Sequence, residues 1–219
     1  MKSRSRGRIE MQKTVKSVPL RILCALSLCA ALALPVGASS FTDVKDNAWY
    51  AGAVEEAVAA GLMGGTSDTT FSPNTPVTRA ATLTALWHLA GSPVPQGESG
   101  FSDVSTDAWY AQAVAWAEEN NIASGDGKGC FEPGNVVTRE ELAVFLYQYA
   151  RYAGHDLAKG VLDLYRDQGS ISKWARTAME HALGAGLLTG SAGKLSPKQA
   201  TTRAELAVVL ERMTTPVMG

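Results

Sequence analysis

One unit is written three times along most of this chain, and that repetition constrains the fold more than any other feature. Phe41-Thr42-Asp43-Val44 returns at a shift of 60 as Phe101-Ser102-Asp103-Val104, and Ala48-Trp49-Tyr50-Ala51 returns at the same shift as Ala108-Trp109-Tyr110-Ala111. Phe71-Ser72-Pro73 is matched by Phe131-Glu132-Pro133, and Val77-Thr78-Arg79 by Val137-Thr138-Arg139. A more diverged third copy holds Tyr165-Arg166-Asp167, Trp174-Ala175, Leu195-Ser196-Pro197 and Thr201-Thr202-Arg203. From Trp to Arg the spacing is 30, 30 and 29 residues. Spacing held over three copies is the signature of tandem supersecondary units that stack on one another to bury a core.

Each copy reads as helix, loop, helix. The first helix is expected to open after a polar cap (Asp46-Asn47, Thr106-Asp107, Ser170 to Ser172) and to carry Trp49, Ala53, Ala57 and Gly61 on one face, with equivalents in the later copies. Gly61, Asn121 and Gly186 are placed to end it in the left-handed conformation, each followed by an apolar anchor. A loop rich in Gly, Ser and Asp leads to Phe71, Phe131 or Leu195 and then to a Pro. The second helix begins at Thr78, Thr138 and Thr202, and Thr138 with Glu141 and Thr202 with Glu205 fit a capping box. Thr78 lacks the partner, because residue 81 is Ala. Apolar stripes (Leu83, Leu86, Trp87, Leu89; Leu142, Phe145, Leu146, Tyr149; Leu206, Val209, Leu210, Met213) run along the second helices. The expected organisation is an all-α chain with copies at 41–91, 101–154 and 162–213.

Residues 1–38 read differently. Seven basic residues against one acid precede an apolar run from Ile22 to Leu34, and Pro35-Val36-Gly37-Ala38 supplies a small-residue exit. This is the pattern of a secretory signal peptide, and the run is shorter than the roughly 20 residues a spanning helix needs. No stable membrane span is expected after its removal. The whole chain balances at -1, but residues 39–219 carry 13 basic and 20 acidic groups, a formal charge of -7. An acidic exported chain makes a poor nucleic-acid partner, since phosphate contacts need clustered Lys and Arg. Two of the three cysteines fall within residues 1–38, leaving Cys130 alone and the fold dependent on packing.

Catalytic chemistry finds little support. His88, His155 and His181 stand at unrelated places in the repeat, and none accompanies a nucleophile pattern. Glu55-Glu56, Glu118-Glu119 and Glu140-Glu141 are helical neighbours that diverge, which suits solvated faces. Asp126-Gly127-Lys128-Gly129 lacks the ligand spacing of a calcium loop and the full phosphate-loop pattern. The expectation is no catalytic residue, no metal and no cofactor.

The arginines stand out instead. Arg79, Arg139 and Arg203 each follow the capping Thr directly, so a cation faces the positive end of the helix dipole three times over. Two explanations weigh evenly: a salt bridge to Asp43, Asp103 or Asp167, or an external anion held by guanidinium and helix amides together. Trp49, Trp109 and Trp174 likewise either cover the core or offer a wall for a sugar ring. Trp87 and Trp116 have no counterparts and read as packing residues.

The combined motif (Phe-x-Asp-Val, Trp-Tyr-Ala, Gly-x-x-Asp-x-x-Phe-x-Pro and Thr-Arg-Ala-Glu) resembles the S-layer homology (SLH) domain over about residues 41–213. The resemblance implies a pseudo-threefold helical bundle with three prongs, whose grooves bind secondary cell-wall polysaccharide, often through a pyruvate ketal. It maps ligand-binding roles onto Asp43, Trp49, Gly65 and Arg79, onto Asp103, Trp109, Gly125 and Arg139, and onto Asp167, Trp174, Gly190 and Arg203. The copies depart from the pattern at Ala81, and the third has Tyr165 for Phe with one extra residue before Trp174. The expected protein is a secreted, non-enzymatic cell-surface module that binds cell-wall glycopolymer, with other surface proteins as further partners. The alternative is a protein-protein interaction module of the envelope.

Overall fold

The computed structural model describes residues 41–214; the signal-peptide reading of residues 1–38 lies outside them. Among the described residues the regular elements are helical: α1 (Ala51–Ala59), α2 (Arg79–Leu89), α3 (Ala111–Glu119), α4 (Arg139–Tyr152), α5 (Arg176–Gly184) and α6 (Arg203–Thr214). Short 3-10 turns at Leu162–Leu164, Gln168–Ser170 and Lys173–Ala175 take up the extra residue of the third copy. The chain is all-α and threefold, as its repeats imply.

The first helix of each copy is shorter than its polar caps suggest. α1 and α3 begin after Tyr50 and Tyr110, neither of which makes a side-chain cap, so Trp49 and Trp109 sit in the preceding turn. Trp174 likewise lies in the 3-10 turn ahead of α5. The tryptophans therefore do not share the helix face of Ala53 and Ala57, which is buried. The helix ends follow expectation. Gly61 and Gly186 adopt φ 69° and Asn121 φ 55°, and Leu62, Ile122 and Leu187 are buried just beyond them. At the second helices, Thr138 and Glu141 form the full capping box, Thr202 and Glu205 make the same bonds, and Thr78 accepts only from the Ala81 amide.

The principal helix pairs are α2 with α3, α4 with α5, and α6 with α1. Each first helix thus packs on the second helix of a neighbouring copy, and the packing unit straddles the sequence unit. The last pair joins the two ends of the described segment and closes the ring. α2 also packs on α4 and on α6, and the inner faces of these helices bury Leu83, Leu86, Leu142, Phe145, Leu146, Leu206 and Leu210.

On the axis, three extended segments exchange backbone hydrogen bonds in a cycle. Val77 N–H donates to Thr201 O (2.9 Å), Thr201 N–H to Val137 O (2.8 Å), and Val137 N–H to Val77 O (3.0 Å). The first two amides of each second helix, which have no partner within the helix, also reach a neighbouring copy. Arg79 and Ala80 donate to Asn135 and Pro133, Arg139 and Glu140 to Gln199 and Pro197, and Arg203 and Ala204 to Thr75 and Pro73. Through these helix-start amides every copy leans on the following one, the sense opposite to the donation around the axial cycle.

Candidate ligand-binding grooves

The arginines follow the same rotation. Arg79 donates from Nε to Phe131 O (2.8 Å) and from Nη2 to Ser124 O (2.8 Å). Arg139 donates from Nε to Leu195 O (2.9 Å) and from Nη2 to Thr189 O (2.7 Å). Arg203 donates from Nε to Phe71 O (2.7 Å) and from Nη2 to Gly64 O. Each guanidinium thus clamps two carbonyls of the next copy's loop, which accounts for a cation at a helix start. No ion pair joins these arginines to Asp43, Asp103 or Asp167 among the described residues, and the first amides of the helices are already bonded, so an anion here would meet the guanidinium rather than those amides.

The surroundings of the three differ. The Arg79 guanidinium lies over the Phe131 ring at 4.5 Å and that of Arg203 over Phe71 at 4.4 Å, a favourable cation-π geometry. Leu195 replaces the aromatic beside Arg139, and there Glu205 pairs with Nη1 at 3.1 Å. Burial pushes the pKa of Arg79 below the ordinary guanidinium value, opposed by Glu141, Glu132 and Asp103; burial does the same to Arg203, opposed by Asp43. Both stay charged at any physiological pH.

The aspartates hold turns. Asp43 accepts from the amides of Phe71 (2.8 Å) and Ser72 (2.7 Å), Asp103 from Phe131 and Glu132, and Asp167 from Leu195 and Ser196. Ser72, Glu132 and Ser196 have φ between 52° and 60°, a costly conformation for a residue with a side chain. Two charge-assisted bonds to one carboxylate offset that cost in every copy. Desolvation raises the pKa of each Asp, but the bonds from the two loop amides and its own amide outweigh it. A nearby cation (Arg203, Arg79 and Lys194 respectively) adds to them, so all three lie below the ordinary value.

Gly65, Gly125 and Gly190 sit where a Cβ has no room. An added atom would lie 2.6 Å from Phe41 Cε1 at Gly65 and 2.5 Å from Phe101 Cε1 at Gly125, and at Gly190 it would meet Tyr165 Cε1. The glycine lets the loop close over the aromatic that opens its copy.

The tryptophans resolve toward the surface: Trp49, Trp109 and Trp174 are 68%, 67% and 61% exposed. Trp116 is buried, and Trp87 is half-buried with Nε1 donating to Pro93 O, as packing residues should be. Trp49 lines a cavity of about 350 Å³ together with Arg139, Gly190 and the α6 residues Glu205, Val208, Val209 and Arg212. Trp174 lines one of about 430 Å³ with Arg79, Gly125 and the α4 residues Glu141, Val144, Phe145 and Gln148. Each cavity therefore takes its Trp from one copy, its Arg from the next and its loop from the one after. No single repeat contains a whole groove.

Sequence reasoning missed several residues here. Lys194 and Arg212 line the first cavity, and their lack of repetition hid them. Glu140 is not on a solvated face: it is 3% exposed and accepts from Ser172 N, Ser172 Oγ and Lys198 Nζ. Glu118 and Glu119 bond the Gln96 to Gly100 linker, whereas Glu55 and Glu56 are exposed. Asp126 accepts from the amides of Lys128 and Cys130 and so shapes its own loop.

The S-layer homology domain family model matches residues 40–83, 100–143 and 164–207. An amylopullulanase of Thermoanaerobacterium thermosulfurigenes is 32% identical over 78% of this chain and 9% of its own length. The surface-layer 125 kDa protein of Lysinibacillus sphaericus is 32% identical over 85% of this chain and 16% of its own. S-layer protein EA1 of Bacillus anthracis is 26% identical over 83% and 21% respectively. The chain spans between about a tenth and a fifth of the length of these curated relatives. By its three tandem matches and the threefold arrangement that they take up, the chain belongs to the S-layer homology domain family.

Proposed function

We propose that this chain is a non-catalytic module of the bacterial cell surface that attaches to the wall by binding an acidic secondary cell-wall polysaccharide, pyruvylated or otherwise carboxylated, in its grooves. The observation that carries the reading is the pairing, in one cavity, of an indole left two-thirds exposed with a guanidinium anchored by carbonyls. An exposed indole loses solvent-facing apolar area when a sugar ring lies on it, and an anchored guanidinium receives a carboxylate with little loss of side-chain entropy. Asp43, Asp103 and Asp167 set the loops that carry the arginine acceptors, and Gly65, Gly125 and Gly190 let those loops close. Export through the segment at residues 1–38 would deliver the module to the wall. Two relatives carry surface-layer names, and the amylopullulanase shares only a small fraction of its length with this chain. That distribution suits an attachment module common to proteins of different activity.

Co-sedimentation with purified sacculi, before and after acid removal of the glycopolymer, tests the reading. Binding lost on removal supports it. Binding that survives removal overturns it in favour of an envelope protein as partner.

A further inference from the structure

The two cavities that share an architecture do not share a charge. Around Trp174 the charged lining is Arg79 and Glu141, which balance. Around Trp49 it is Arg139, Lys194, Arg212 and Glu205, a surplus of two positive charges although residues 39–219 carry a formal charge of -7. The surplus comes from two positions. Lys194 stands where the other copies have Cys130 and Thr70, and Arg212 where they have Gln148 and His88. Glu205 is already engaged, by the Arg139 pair and by the capping bonds to Thr202.

Neither extra cation is spent elsewhere. The Lys194 ammonium makes no ion pair or hydrogen bond among the described residues, although its charge acts on Asp167, whose oxygens are held by the Leu195 and Ser196 amides. Arg212 donates Nη1 to Gly186 O (3.3 Å) and Leu187 O (3.0 Å), which anchors the side chain without neutralising it. Carbonyl anchoring at the end of α5 holds the guanidinium at the cavity wall, and no carboxylate pairs with it among the described residues.

Building on the anion-binding reading above, we infer that the groove of Trp49, Arg139, Lys194 and Arg212 is a dianion site, selective for a group with two negative charges. Dicarboxylates and phosphate monoesters share the required chemistry. The groove of Trp174 and Arg79, neutral overall, takes a singly charged or uncharged sugar. Lys194 and Arg212 are the residues that set the difference.

The indole N–H of each tryptophan gives a separate proton-nitrogen NMR signal, so each groove carries its own reporter. Malonate and acetate are the probes, titrated into the folded chain at low ionic strength. Malonate should shift the Trp49 signal with a midpoint about three- to tenfold below that of Trp174, the range two exposed charges supply, and acetate should separate them less. Lys194→Thr, alone or with Arg212→Gln, should move the Trp49 malonate midpoint toward that of Trp174; the single variant leaves the α5 anchor intact. Equal midpoints, an absence of shifts, or a Trp49 midpoint indifferent to Lys194→Thr overturns the proposal. Loss of sacculus binding with the malonate ranking intact would remove the polymer reading alone. Retained sacculus binding without the ranking would remove the dianion site alone.

Discussion

Arg139 of the second copy pairs with Glu205 of the third at 3.1 Å, and the residue that would complete the same pair for Arg203 is Ala81. Two deficits meet at that position. Arg203 has no carboxylate from α2 beside it, and the Thr78 amide has no acceptor of the kind Glu141 supplies to Thr138. Ala81→Glu should therefore complete the capping box and raise stability by about 1 kcal/mol. A higher urea midpoint at unchanged slope would bear this out. A lower midpoint would show that α2 tolerates no carboxylate there.

The axial ring contains one flaw. Val77, Val137 and Thr201 hold equivalent places in the backbone cycle, all three are buried, and the Thr201 hydroxyl has no hydrogen-bond partner. An unsatisfied buried hydroxyl costs about 1–3 kcal/mol, and an apolar group of the same shape removes the penalty. Thr201→Val should stabilise the chain by about 1 kcal/mol, read as a rise in Tm by calorimetry.

Acid sensitivity should originate in the three turn aspartates. Their pKa values are lowered from the ordinary 3.8 in the folded chain, so their contribution is complete above that value. As pH falls through it, the unfolded chain binds protons first and stability declines until the folded carboxylates protonate too. Urea midpoints should stay level from about pH 7 to 5 and fall below about pH 4. Asp103→Asn should be less stable at neutral pH, having lost an acceptor for one amide, and should lose less between about pH 5 and 3.

Gly125 illustrates a cost of pure steric origin. Its φ is not in the left-handed region, but an added Cβ would lie 2.5 Å from Phe101 Cε1 and against the Cys130 carbonyl. A ring could shift, whereas a backbone carbonyl in a tight loop has less freedom. Gly125→Ala should destabilise by about 2 kcal/mol, with the largest loss of amide protection in the Ser124 to Cys130 loop.

Much of the fold was legible because the repeats carry local rules. Gly61, Asn121 and Gly186 marked helix ends by conformation, and Thr138 with Glu141 marked a helix start by side-chain chemistry. What the sequence concealed was the rotation between copies. Nothing local reveals that Arg79 clamps Phe131 O and Ser124 O across 52 and 45 residues, or that Arg203 reaches back 132 to Phe71 O. The grooves stayed hidden for the same reason, since Trp49, Arg139 and Gly190 come together only after α6 packs on α1. Glu140 looked solvated because its partners, Ser172 and Lys198, belong to another copy.

Wall attachment through the exposed tryptophans is the central claim, and one comparison tests it most directly. Trp49, Trp109 and Trp174 contribute little to the core, so replacing all three by Ala should leave Tm within a few degrees while removing the exposed indoles proposed to meet the sugar. Affinity of that variant for intact sacculi should fall by at least about tenfold, as expected for the loss of aromatic anchors at a binding site. Unchanged affinity in a folded variant would contradict the account.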